Sequence, residues 1–387
     1  MELHELRARY CAVLYTVSSA LCGVTLVKKM PAEAIYSYAS RHSLGALTCH
    51  GLELAGAATP SASADKLQAV RRAMLFDNAR AEICKRLNTE KIKYILLKGI
   101  VLKELYPAIG LREMADNDIL IDPAHRHKVK KIMRELGYKV ESYGKGNHDV
   151  YTKSGGLNFE IHISLFSLQN ERMYGYFASI FERARRVDEK SFEYRMTDED
   201  FYVYVKAHEY KHYASGGTGL RSLVDTYLFM NAHAQTLDME YIERECRSIG
   251  IFEYEYESRE LAKKIFGVDM LSKLLDAAKG GELPLSEDEL NMLDYICSSG
   301  TYGVMSQQIA NAMKRYEDEG AKSGKLKFLW RRLVPPMSFY RESAPFVYKY
   351  KIFIPFYLIG RLVRAVARRP GRVFAQIKSV IKYKKEK

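Results

Sequence analysis

Asp116 and Asp118 stand two residues apart, just ahead of the apolar run Ile119, Leu120 and Ile121. On a strand, side chains at i and i+2 point the same way, which puts these carboxylates on one face about 7 Å apart along the chain. Like charges so placed call for a cation. Mg²⁺, or Mn²⁺ in its place, is held by one or two carboxylates plus substrate phosphates, and a pair of such ions stabilises attacking and leaving oxygens in phosphoryl transfer. A third carboxylate comes from the alternating run Asn158-Phe159-Glu160-Ile161-His162-Ile163, which turns Asn158, Glu160 and His162 to one face and the apolar residues to the other. Held at the edge of a packed sheet, Glu160 is costly without an ion or hydrogen bonds. Asp116, Asp118 and Glu160 are therefore the candidate catalytic and metal-ligating residues.

A competing chemistry is written at His208-Glu209-Tyr210-Lys211-His212. HExxH on a helix sets two imidazoles one turn apart for zinc, with the glutamate, here Glu209, as general base. Lys211 inside the interval and the lack of a nearby third ligand weigh against a zinc hydrolase, which stays as the lesser alternative.

The elements that must position these residues alternate in type. Helical periodicity runs through 31–54 and 65–87, around the small-residue stretch 56–64. From Ile92 a short β-rich run leads into Lys98-Gly99, and a helical stretch at 100–106 ends at Pro107. Strands are expected at 116–121 and 139–142, with an amphipathic helix at 123–136 stopped by Gly137. Segments 149–153 and 157–165 form a hairpin about Ser154-Gly155-Gly156. Helical patterns return at 201–213, 221–233 and 239–248. The expected fold class is α+β: a small mixed-sheet domain at 91–197, after a helical N-terminal region at 1–90 and before a helical domain at 198–320 and a basic tail at 321–387.

LLKG (96–99), LYP (105–107), LREMADNDILI (111–121), LGY (136–138), FEIH (159–162), AHEYKH (207–212) and GLRSLVDTYLF (219–229) occur in that order. Together they resemble the uncharacterised nucleotidyltransferase family of the DNA polymerase beta-like superfamily, over most of the chain. The resemblance implies transfer of a nucleotidyl group from an NTP to an acceptor hydroxyl, with metals on Asp116, Asp118 and Glu160 and phosphates at the Gly99 turn. A helix N-terminus suits an anion through its N–H groups and dipole. It also suggests a sugar or glycan-linked acceptor, and it sets His208 and His212 near the nucleotide cleft, with a structural role for each as the default.

Lys98, Gly99, Arg221 and His162 are the candidate nucleotide-contacting residues. Two readings stay open for Lys98, a phosphate contact or an ordinary surface lysine. Arg221 likewise offers either a fork for phosphate or an ion pair with Asp225 four residues on. The pattern departs from the superfamily at Lys98-Gly99, where Gly-Ser is usual, and at Asn117, where an apolar residue is commoner. A non-catalytic nucleotide-binding scaffold at the membrane surface is the alternative of a different class.

The net charge of +13 on 387 residues suggests nucleic acid until it is located: 322–387 hold 18 Lys+Arg against 2 Asp+Glu, while the remainder holds 42 against 45. The basic character thus belongs to the tail. Between 345 and 372, aromatic and aliphatic residues interleave with lysine and arginine, a composition that suits an anionic membrane interface. RNA binding is the lesser alternative, and a partly buried helix with a solvated basic face is the bland one. Six cysteines without CxxC or CxC spacing argue against a disulfide framework or zinc knuckle and for a reducing cytoplasm. The apolar run at 11–27 is short for a membrane span, carries Ser18, Ser19 and Thr25, and is read as a buried N-terminal helix. The expected location is cytoplasmic, with peripheral contact at the inner membrane face.

Overall fold

The computed structural model describes residues 3–24, 31–301, 303, 305–318, 323–368 and 370–383. The fold is α+β, as expected. Four helices come first: α1 (Leu3–Cys22), α2 (Ala32–Ser40), α3 (Gly45–Leu54) and α4 (Pro60–Thr89). Thr59 caps α4 through its hydroxyl, with Pro60 at the first position, where a missing N–H costs nothing. Of the apolar run expected as a buried helix, residues 11–20 of α1 are buried, Leu21 and Cys22 are half-buried and 25–27 lie outside the described residues; the Thr16 hydroxyl donates to the Ala12 carbonyl at 2.8 Å. Among the described residues no helix is long and apolar enough to cross a membrane.

The sheet follows. Strand β1 (Tyr94–Leu96) leads through the short helix α5 (Gly99–Leu102) and a 3₁₀ turn to β2 (Asn117–Ile121). Helix α6 (Arg126–Glu135) and Gly137 at φ +83° turn the chain into β3 (Lys139–Ser142), and the hairpin β4 (His148–Lys153) and β5 (Leu157–His162) lies where the alternation predicted it. Helices α7 (Glu171–Phe177) and α8 (Ile180–Arg183) precede the short β6 (Arg185–Arg186) and β7 (Glu193–Arg195). The strand order is β3-β4-β5-β2-β1-β7-β6, with β2 parallel to β5 and antiparallel to β1. All five residues of β2 are buried, the mark of a strand covered on both faces. One face, with Ile119, Ile121, Phe159 and Ile161, packs on α4 and α6. The other, with Ile95 and Leu120, lies under α7 and α9 (Asp198–Ser215).

The remaining helices are α10 (Arg221–Ala232), α11 (Met239–Ile249), α12 (Phe252–Ile265), α13 (Leu271–Ala278), α14 (Glu287–Ser299), α15 (Met305–Asp318), α16 (Gly324–Leu333), α17 (Met337–Ser343), α18 (Pro345–Lys349), α19 (Ile354–Arg368) and α20 (Pro370–Lys382). The N-terminal helix shares a core with this set: Val13, Leu14 and Val17 cluster with Leu261, Leu274 and Leu293. Arg7 closes that contact on Asp294 at 2.7 Å.

The segment between α5 and β2 is pinned to α10. Arg112 donates from Nε and Nη2 to the two oxygens of Asp225, each at 2.8 Å, and the Tyr106 hydroxyl donates to the same carboxylate at 2.8 Å. This pair takes the place of the Arg221–Asp225 helix pair left open by the sequence: Arg221 donates instead to the Glu113 carbonyl at 2.8 Å. Both Arg112 and Asp225 are buried, and removing one partner of a buried pair strands the other charge. Asp225→Ala is expected to lower the unfolding free energy by about 3–5 kcal/mol. Urea denaturation checks this, and an unchanged midpoint would refute it.

Candidate active site

Strand register assembles the site. The parallel pairing of β2 with β5 sets Asp118 opposite Glu160, and the antiparallel pairing of β4 with β5 sets His148 opposite His162. Paired residues share a face, so these four side chains gather on the side covered by α9. Asp118 Oδ1 accepts from Lys98 Nζ at 2.9 Å and lies 2.7 Å from His162 Nε2, which carries the proton of that bond. Glu160 Oε2 lies 3.6 Å from His148 Nε2 and 3.7 Å from His162 Nε2, too long for hydrogen bonds. Ligand atoms of His148, Glu160 and His162 all fall within 4.8 Å of one another, close enough to share an ion. Asp116 stands one residue ahead of β2 and makes no hydrogen bond or ion pair among the described residues.

Lys98 reaches Asp118 from a constrained turn. Leu97 N–H donates to the Asp118 carbonyl at 3.1 Å, after which Lys98 adopts φ +42°, a region costly for any residue but glycine. The open choice for Lys98 therefore falls on neither earlier reading alone: its ammonium is bound to a site carboxylate and lines the cleft. A Cβ at Gly99 would meet Arg112 Nη1 at 2.5 Å, and Arg112 is held by Asp225. The N–H groups of Ile100 and Val101 turn back to the Leu97 and Lys98 carbonyls at 3.1 Å, so α5 offers an anion less than a longer helix start would. Asn117 points to the other side of the sheet, where its Oδ1 accepts from Arg80 of α4 at 3.0 Å. A polar residue between the aspartates thus has a partner in the opposite layer.

Helices close the cleft, which measures about 710 Å³ and is lined by every candidate residue: Asp116, Asp118, Glu160, Lys98, Gly99, His162 and Arg221. His208, Lys211 and His212 of α9 also face it. The imidazoles of His208 and His212 meet at 3.4 Å between Nε2 atoms. Glu209, the base that HExxH requires, has its carboxylate on Lys206 Nζ at 2.8 Å, and Lys206 donates in addition to Thr226. Among the described residues, the group of three that could share an ion does not include His208 or His212. The zinc-hydrolase alternative therefore lacks both its base and a third ligand. Residues that the sequence did not single out are His148 and Arg112, which line the same cleft, as does Lys211, named from the sequence only as a cation within HExxH.

Charge is distributed unevenly over the carboxylates. Burial alone would raise Asp118, but Lys98 and His162 hold it well below the ordinary carboxylate range. Burial and then the charges of Asp118 and Glu160 push Asp116 up to about 6, and burial with Asp118 raises Glu160. Burial would lower Lys98, yet the Asp118 charge keeps it high; Lys211, exposed at the cleft mouth, falls to about 8 through partial desolvation there and the neighbouring Lys98 charge. Burial also lowers His162, His148 and His208, and desolvation in the cleft with the Lys211 charge brings the more exposed His212 down to about 4, so these rings are neutral near pH 7. Asp116 and Glu160 are thus the carboxylates whose charge is uncompensated, and their burial fits a divalent ion held from the oxygens. The adjoining imidazoles admit Mn²⁺ or Zn²⁺ as readily.

A mixed sheet that gathers carboxylates on one face under helices carrying cations suits a protein that handles phosphoryl groups, where charge stabilisation is the main demand. The chain belongs to the uncharacterised nucleotidyltransferase family, whose model matches residues 28–267. No curated protein and no solved structure matches it.

In metal-free protein the raised Asp116 gives a signed pH effect. Its folded-state value of about 6 exceeds the ordinary 3.8, so the stability it contributes is full below 3.8 and is lost as pH rises through 6. Asp116→Asn removes the charged form and is expected to be more stable than wild type above that range, by up to about 3 kcal/mol, with the difference vanishing in acid. Thermal melts across pH in the presence of a chelator test this, and a variant less stable than wild type at neutral pH would contradict it.

Proposed function

We propose that the protein transfers a nucleotidyl group from an NTP to an acceptor hydroxyl, with Mg²⁺ or Mn²⁺ held by Asp116, Asp118 and Glu160. The observation that carries this reading is the β2–β5 register, which puts Asp118 against Glu160 with Asp116 at the strand mouth. A divalent ion held there would polarise the phosphoryl oxygens. Lys98 and His162 fix the Asp118 carboxylate in one orientation. Arg221 and Lys211, which line the same cleft, supply positive charge for the triphosphate together with Lys98 and the Gly99 turn. Neutral His208 and His212 can hydrogen-bond the nucleotide or the acceptor. A sugar or glycan-linked hydroxyl is the acceptor class that the family resemblance favours.

A second reading, nucleotide binding without turnover, is favoured by one observation: Asp118 Oδ1 is already engaged by both Lys98 and His162. Incubation with each labelled NTP and a divalent ion, alone and with cell extract, separates the two. Carboxylate-dependent pyrophosphate release with a labelled product is expected, reduced at least about 100-fold in Asp118→Asn and in Glu160→Gln. Nucleotide bound without pyrophosphate release would support the second reading, and turnover unchanged in Asp118→Asn would refute the first.

A further inference from the structure

We infer that α16, α19 and α20 form a docking surface for the face of an anionic phospholipid bilayer. Each of these helices leaves an apolar stripe outside the core. On α16 the stripe is Leu326, Leu329, Trp330 and Leu333, at the i, i+3, i+4, i+7 spacing of one helix face, and Trp330 is 63% exposed. On α19 it is Phe356, Ile359 and Val363, with Phe356 71% exposed, and on α20 it is Phe374 and Ile381, one heptad apart. Ile352 extends the α19 stripe ahead of the helix. Helices that fold against a core turn such stripes inward, as α6 does with Val129, Ile132 and Met133. Here the contacts with the rest of the molecule use other residues: Ile309, Met313 and Val380 form the small cluster beneath, and Tyr340 packs on Tyr357.

Charge names the occupant. The segment 322–387 carries 18 Lys+Arg and 2 Asp+Glu. One of those acids, Glu342 of α17, is turned to the loop after β5, where it accepts from Ser167 at 2.6 Å and from Leu168 N–H at 3.3 Å. That contact also fixes the segment to the body that carries the cleft. Large exposed apolar side chains among cations match the acyl boundary and headgroups of an anionic leaflet. A second copy of the chain would bring the same excess of positive charge to the interface and be repelled. RNA would accept the cations, but Leu326, Ile352, Ile359 and Val363 offer it neither stacking nor phosphate contact. The helices lie on the membrane, since among the described residues none is long and apolar enough to span it.

Trp330 is the sole tryptophan of the chain, so its emission reports this surface alone. The full-length protein is mixed with vesicles of phosphatidylcholine, with and without phosphatidylglycerol, and sedimented. Binding to the anionic vesicles with a blue shift of Trp330 emission is expected. Arg361→Gln/Arg364→Gln/Lys378→Gln should lower the partition coefficient on the order of 100-fold, from about 1 kcal/mol per charge. Phe356→Ser/Phe374→Ser should also weaken binding, while leaving the thermal midpoint unchanged because both rings lie outside the core. Absence of binding to anionic vesicles, or binding with unshifted Trp330 emission, would overturn the inference. Retention by single-stranded RNA without vesicle binding, or self-association through these helices in its place, would overturn it too. Nucleotide turnover is read separately, so failure here leaves the proposed reaction standing.

Discussion

An ionised carboxylate on a strand paired on both sides and covered on both faces is the constraint around which this molecule is arranged. Asp118 is 4% exposed, and a charge so placed costs several kcal/mol unless it is matched. Lys98 and His162 match it, and each imposes a condition on the surrounding structure. Lys98 must leave β1 through a left-handed turn to bring its ammonium across. The residue after it must be small, because Arg112 lies against Gly99. Arg112 in turn is buried and needs Asp225, which fastens the α5–β2 connection to α10. His162 needs β5 to lie parallel to β2 in one register, because a slip of one residue would turn it to the opposite face. The turn, the sheet order and the docking of α10 thus follow from one buried charge.

The same arrangement divides labour among the carboxylates. Asp118 is neutralised within the protein and is therefore fixed in place before any ligand arrives. Asp116 and Glu160, lacking such partners, hold charge at a cost, and that cost is what a divalent ion would relieve. Burial keeps the surrounding imidazoles neutral, so they do not compete as cations for the same carboxylates. A site of this kind has its electrostatics set before any ligand binds.

Much of this was legible in the sequence where the signal is local. Alternation along 158–163 located β5 and its polar face, and the Ser154-Gly155-Gly156 turn fixed the hairpin. Counting back across that turn from His162 reaches His148, so this site residue was within reach of the sequence and was missed only because the pairing was not carried to its end. Other features could not be read in this way. Nothing in the letters Lys98-Gly99 reveals a positive φ at the lysine, since propensity favours glycine there. Arg221 and Asp225 satisfied the helical spacing for an ion pair, yet Asp225 pairs with Arg112, a partner 113 residues away. Local spacing shows which groups can meet, whereas burial decides which must. The packing of α1 on α12, α13 and α14 is of the same long-range kind.

HExxH makes the point on a single helix. In α9, Lys206 and Glu209 lie three residues apart and are both buried, and Glu209 also reaches the wall of the cleft that His208, Lys211 and His212 line. Lys206 is 1% exposed, and a buried ammonium requires a carboxylate more strongly than a cleft requires a base. Glu209 is therefore committed to Lys206 by burial, whatever the spacing of the histidines suggests. The imidazoles remain available to the cleft, but as neutral hydrogen-bonding groups opposite the Asp118 carboxylate. A five-residue motif specifies a metalloprotease only where its glutamate is free to act as a base, and on this helix the buried Lys206 ammonium holds it.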